Sequence, residues 1–203
     1  MLSLRLHQHG LRRLAVATLL AIGVQTALIV APAGALTSGW FQFDRKTNTN
    51  SPLWWFHSND GRQTATYTGY RAGSGSSTDE CWVGKGWLPG GWYDMWGHWN
   101  NYNGGQIFGR VWRLSDHTCR NGSTRRTELF IHTEETSNDG QNCNSEPQCW
   151  DGANDYYSAG CIKVSWPRLG FPNTIGLIHQ SFHDNGGSLS HGSYTLQYFV
   201  YVT

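Results

Sequence analysis

Charged side chains are scarce. Asp, Glu, Lys and Arg together make up 14% of the 203 residues, and no run of like charge occurs. That excludes the basic footprint by which proteins hold nucleic acid. Helix-forming Ala, Leu, Glu and Lys are few beyond residue 35, which argues against a helical bundle. Beyond that residue there is also no apolar stretch long enough to span a bilayer. No internal repeat and no second domain boundary can be found.

What is abundant points to a different class. The chain holds 25 glycines, 11 tryptophans and 9 tyrosines. Such a composition favours short β-strands, aromatic packing and many turns.

Residues 1–35 read as a secretory signal peptide. Arg5, Arg12 and Arg13 form a basic head, residues 14–30 are almost wholly apolar, and Ala33-Gly34-Ala35 is a small-x-small cleavage signal. An uncleaved anchor is the alternative, but the apolar run is short for a span. The Arg12-Arg13 pair leaves the export route open. Removing residues 1–35 leaves 168 of the 203, enough for one domain with one core. All 14 acidic residues but only 12 of the 15 basic ones lie beyond residue 35, so the mature chain carries about −2.

Strands are expected at 38–45 (SGWFQFDR), 51–58, 61–73, 104–115, 127–134 and 193–203, from apolar alternation between turn formers. Asn59-Asp60-Gly61 marks a hairpin turn, and Pro89-Gly90-Gly91 marks a second turn. Residues 172–187 are the best helix candidate. Pro172 suits its start, Ile175, Ile178 and Phe182 share a face, and Asn185-Gly186 suits its end. Residues 135–157 form a polar connection too long for an idle loop. The expected fold is mainly β, sandwich-like or barrel-like, with one or two short helices.

The chain has five cysteines, at 81, 119, 143, 149 and 161. An odd number in a secreted monomer leaves one thiol unpaired. Cys143 and Cys149 sit in one turn-rich loop and suit a local disulfide; Cys81 and Cys119 are reasonable partners for each other. Four cysteines allow three pairings, so connectivity stays open. Cys161 has the distinctive surroundings, SAGCIKV, where Gly160 permits a sharp turn whose N–H groups can face an oxyanion. A thiol nucleophile needs a base. His132, in LFIHTE, stands near the end of an apolar strand, before the long connection that returns to Cys161. A neighbouring imidazole is expected to lower the thiol pKa.

The pattern IHTE … YYSAGCIKV, preceded by VGKGWLPGGWYDM, resembles the L,D-transpeptidase catalytic domain, whose cysteine enzymes crosslink or trim peptidoglycan stem peptides. The similarity covers about residues 80–203. It implies Cys161 as nucleophile and His132 as base, with the Thr133 carbonyl orienting the imidazole. It also implies Gly160 and Cys161 N–H groups at an oxyanion, Ser158 holding the turn or the substrate, and Lys163 facing a substrate carboxylate. Three features depart from the family. Ala159 stands where many members have a second histidine, Lys163 replaces an arginine, and 29 positions separate His132 from Cys161.

Two other readings compete. His179 and His183 are one helical turn apart and His191 follows, a spacing that can chelate zinc. The intervening Gln-Ser-Phe has no glutamate to act as base, and a solvated helix face is favoured, so no metal and no cofactor are expected. A non-catalytic carbohydrate-binding or cell-wall-binding module would use the aromatic residues 91–105. The reading favoured is a monomeric, secreted or wall-located cysteine acyltransferase on peptidoglycan stem peptides.

Overall fold

The computed structural model describes residues 38–59, 62–64, 69–144, 148–167, 172–184 and 198–203. The leader, His191, Asp60 and Gly61 lie outside the described residues. The strands are β1 (Ser38–Phe43), β2 (Ser51–Asn59), β3 (Arg62–Thr64), β4 (Tyr70–Gly73), β5 (Gly91–Asn103) and β6 (Phe108–Leu114). They continue as β7 (His117–Thr118), β8 (Arg125–Arg126), β9 (Phe130–His132), β10 (Ile162–Val164) and β11 (Tyr198–Val202). Among the described residues, one helix, α1 (Thr174–Asp184), and a 3-10 turn at Ala153–Tyr156 complete the elements. Among the described residues no helix is long and apolar enough to cross a membrane.

The strands run in the order β1-β11-β5-β6-β9-β10-β4-β2, and β2 pairs back onto β1. Eight strands therefore close a barrel, and β3 extends from β2 outside the ring. Closure removes the unpaired edges that an open sheet would present. The β1–β11 and β9–β10 pairs are parallel, and the others around the ring are antiparallel. Residues two apart share a face, and one face of each strand of the ring contributes to the interior. Phe41, Phe43, Leu53, Trp55, Tyr93, Met95, Trp112 and Leu114 are buried in one core cluster with Ile131, Ile162, Val164, Val200 and Val202.

Helix α1 packs its apolar edge against this interior. Ile175, Ile178 and Phe182 are fully buried, and the Phe182 ring lies 5.8 Å from Trp55 and 5.9 Å from Trp112. The helix starts two residues after Pro172, because Asn173 caps it by accepting the Gly176 N–H at 3.0 Å.

Two strands are shorter than alternation implies. The segment 61–73 yields β3 and β4 separately, with 65–68 outside the described residues. The segment 127–134 yields only β9, because Glu128 takes a left-handed φ of 53° and breaks the extended backbone. The long connection is ordered by its own contacts. Gln141 donates to the Glu134 carbonyl and accepts the Trp150 N–H, both at 2.6 Å, and Trp150 packs edge-on against Tyr156. Arg71 stacks over the Tyr156 ring at 4.2 Å.

Two disulfides join Cys81 to Cys119 and Cys143 to Cys149, leaving Cys161 as a free, buried thiol. The bridged residues are 38 and 6 positions apart. Loop-closure entropy then gives about 4 kcal/mol for the first bridge and about 2 kcal/mol for the second. In urea unfolding, replacing Cys81 and Cys119 by serine is expected to cost clearly more stability than replacing Cys143 and Cys149. An equal or reversed order would contradict this.

Candidate active site

Strand register builds the site. Ile131 on β9 pairs with Ile162 on β10, and both point into the core. The alternate residues Phe130 and His132, with Cys161 and Lys163 on the neighbouring strand, therefore face the other side. There they line a cavity of about 450 Å³ whose walls include Tyr102, Ile107, Arg126 and Glu128. Cys161, His132 and Lys163 are all nearly buried, at 5%, 6% and 6% exposure. The structure thus brings together the proposed nucleophile, the proposed base and the cation, with Ser158 on the same wall.

The turn before β10 is tightly specified. Ser158 Oγ donates to the Cys161 carbonyl at 2.7 Å and accepts the Gly160 N–H at 3.1 Å. Ser158 therefore holds the turn. The Gly160 N–H, expected at an oxyanion, is occupied inside it. Gly160 has a φ of 121°, and a Cβ there would fall 2.0 Å from Arg126 Nη2. Both backbone and space require glycine.

His132 Nδ1 lies 2.9 Å from the Thr133 carbonyl oxygen. A carbonyl only accepts, so Nδ1 carries the proton and Nε2 is left as an acceptor. Thr133 orients the imidazole through its backbone. Burial, then the Lys163 ammonium, press the His132 pKa down to about 3 against the Thr133 hydrogen bond. Burial pushes the Cys161 thiol up to about 11, although the Phe130 N–H, Lys163 and Arg126 oppose the rise. The resting pair at neutral pH is therefore a thiol and a neutral imidazole. This differs from the lowered thiol pKa expected from an imidazole neighbour: desolvation outweighs the nearby cations. The thiol hydrogen points to the Glu128 carbonyl, with Sγ at 3.6 Å.

Lys163 is also not free for a substrate carboxylate. Its ammonium pairs with Glu134 and donates to the Tyr157 carbonyl at 3.1 Å. Both side chains of that ion pair are nearly buried, where losing either partner would strand the other charge.

Arg126 is a neighbour of the free thiol that sequence reasoning missed. It is 2% exposed and donates to four backbone carbonyls. Nη1 reaches Glu80 at 2.6 Å and Trp87 at 3.3 Å, while Nη2 reaches Gly86 at 3.4 Å and Ala159 at 2.7 Å. Burial lowers its pKa, and the Cys161 sulfur is the nearby group that most opposes this. No motif in the sequence flags it.

Two of the three histidines considered for zinc are described. His179 and His183 are adjacent on α1, with ring centroids 4.5 Å apart. They lie outside the Cys161 cavity. The third described imidazole beside them is His98 of β5, which sequence spacing does not suggest.

No protein-family model matches the chain, and no curated protein matches it. Among solved structures, two that are similar are of one protein. One is the helical cell shape determining protein Pgp2 from Campylobacter jejuni, at 13% identity and a TM-score of 0.43. The other is a point mutant of the same protein, at 17% identity and a TM-score of 0.47. Each comparison covers 82% of this chain and 47% of the other, so this chain spans about half their length.

The protonation states set a pH dependence for the thiol. Alkylation of Cys161 by iodoacetamide, followed by intact mass, is expected to climb from neutrality towards about pH 11. A plateau between about pH 5 and 8 would instead reveal a preformed thiolate–imidazolium pair.

Proposed function

We propose that the protein is a secreted cysteine acyltransferase acting on peptidoglycan stem peptides. One observation carries this reading. Four cysteines are bridged, while the fifth is held as a thiol on a glycine turn, in one cavity with an imidazole of fixed tautomer. The likeness of the IHTE and SAGCIK segments to L,D-transpeptidases supplies the substrate class. Two disulfides suit an oxidising compartment outside the cytoplasm.

In this mechanism Cys161 Sγ attacks a stem-peptide carbonyl as His132 Nε2 takes the thiol proton. General-base transfer replaces a preformed thiolate, because burial disfavours both charged forms. The Cys161 N–H donates to the tetrahedral oxyanion, since the Gly160 N–H is held by Ser158. The imidazolium beside Lys163 is a strong acid and returns its proton to the leaving amine as the C–N bond breaks. The thioester is then taken by an acceptor amine, giving a crosslink, or by water, giving cleavage.

A second reading, a non-catalytic glycan-binding module, is favoured by a different surface. Trp92 is 56% exposed and stacks on Tyr201 at 4.6 Å. With Trp40, Phe199 and Asp94 it lines a shallow aromatic cavity of about 390 Å³, the kind of platform on which sugars stack.

Incubation with purified muropeptides separates the two readings. A covalent peptide adduct is expected by mass spectrometry on the parent and absent from Cys161→Ala. His132→Ala is expected to slow its formation by about 10²–10⁴-fold. Glycan binding by both proteins with an adduct on neither would establish the module instead.

A further inference from the structure

Three imidazoles converge on a face of the sheet that the Cys161 cavity does not use. Two register shifts in β5, between Met95 and Gly97 and between Trp99 and Tyr102, change which residues point inward. Trp99 packs beside Val111, Phe130 and Cys161. His98, its neighbour in the chain, turns the other way. It stacks on the fully buried Trp112 at 4.8 Å and lies 5.5 Å from Phe182. Helix α1 brings His179 and His183 to the same place, because residues four apart share a helix face.

One ring nitrogen from each of His98, His179 and His183 lies within 4.8 Å of the other two. His98 Nε2 and His179 Nδ1 are 3.3 Å apart. Two nitrogens bound at about 2.0–2.1 Å to one tetrahedral zinc ion sit ~3.3–3.4 Å apart. The observed spacing therefore already matches one edge of a coordination tetrahedron. A simple hydrogen bond between two rings would account for that pair but not for the arrival of the third.

From this convergence we propose that His98, His179 and His183 form a three-histidine site for a divalent transition metal of the zinc class. Two ligands come from consecutive turns of α1 and one from the barrel, so the ion fastens the helix to β5. His183 is exposed, which gives the ion a route from solvent and leaves a fourth position for water. The site is independent of the Cys161 chemistry, lying across the sheet from it.

The test uses the untagged protein with its disulfides intact and carrying Cys161→Ala, which removes the thiol as a competing ligand. Titration with Zn(II) by calorimetry is expected to show one equivalent bound. Adding His183→Ala is expected to weaken binding by about 100-fold or more. His183 is exposed, so its loss leaves the core intact, whereas His98→Ala would open a hole beside Trp112. The Co(II) complex is expected to show ligand-field bands that disappear with His179→Ala. Absence of stoichiometric Zn(II) binding in the Cys161→Ala protein would overturn the proposal, as would unchanged affinity after His183→Ala. Failure of muropeptide acylation in the parent would leave this result untouched.

Discussion

A single buried guanidinium organises the region around the free thiol. Arg126 reaches the carbonyls of Glu80, Gly86 and Trp87 on one side and that of Ala159 on the other. A buried charge is costly unless it is hydrogen-bonded, and four carbonyls accept from its two terminal nitrogens here. The carbonyls belong to two segments far apart in sequence. The loop after Cys81 and the turn before Cys161 are thereby held in one arrangement. Glu80 secures the other flank of that loop. Burial opposes its ionisation, but the Arg45 guanidinium at 2.6 Å and the N–H groups of Arg120 and Gly90 hold its pKa below the usual carboxylate value. The Cys81–Cys119 bridge adjoins Glu80 and Arg120 in the chain.

The same burial that specifies the geometry sets the chemistry. Taking the thiol and the imidazole out of water disfavours both charged forms, so the pair rests neutral. Arg126 and Lys163 temper this by favouring the thiolate. Neither is available to a substrate in the resting state: one is held by carbonyls and the other by Glu134. On the proposed reading, the cavity wall, with Tyr102 and Ile107 supplying apolar surface, is what a substrate would meet. Glu128 contributes through its backbone. Its left-handed φ of 53° ends the reach of β9 and aims a carbonyl at Sγ, a local strain of the kind that gathers at functional positions.

Much of the barrel was legible in the sequence. Alternation in SGWFQF and in the closing YFVYV marks β1 and β11, and the spacing of Ile175, Ile178 and Phe182 marks α1. The odd cysteine and its SAGC turn marked Cys161. What stayed hidden depends on distant contacts. Nothing in the pattern of a three-residue strand such as β9 announces its length. The β5 irregularities that turn His98 inward have no compositional cue. Lys163 read as a free cation because its partner, Glu134, lies 29 positions away. Arg126 drew no notice because arginine is normally exposed, and only the fold surrounds it with carbonyls. The raised thiol pKa likewise follows from burial, which a neighbouring histidine in the sequence does not reveal.

Backbone hydrogen exchange on the parent and on Arg126→Met tests the central role of that guanidinium most directly. The account predicts that amides of residues 80–87 and 158–161 lose protection together, while β1 and β11 keep theirs. Loosening of one segment alone, or of neither, would contradict the claim that Arg126 joins them.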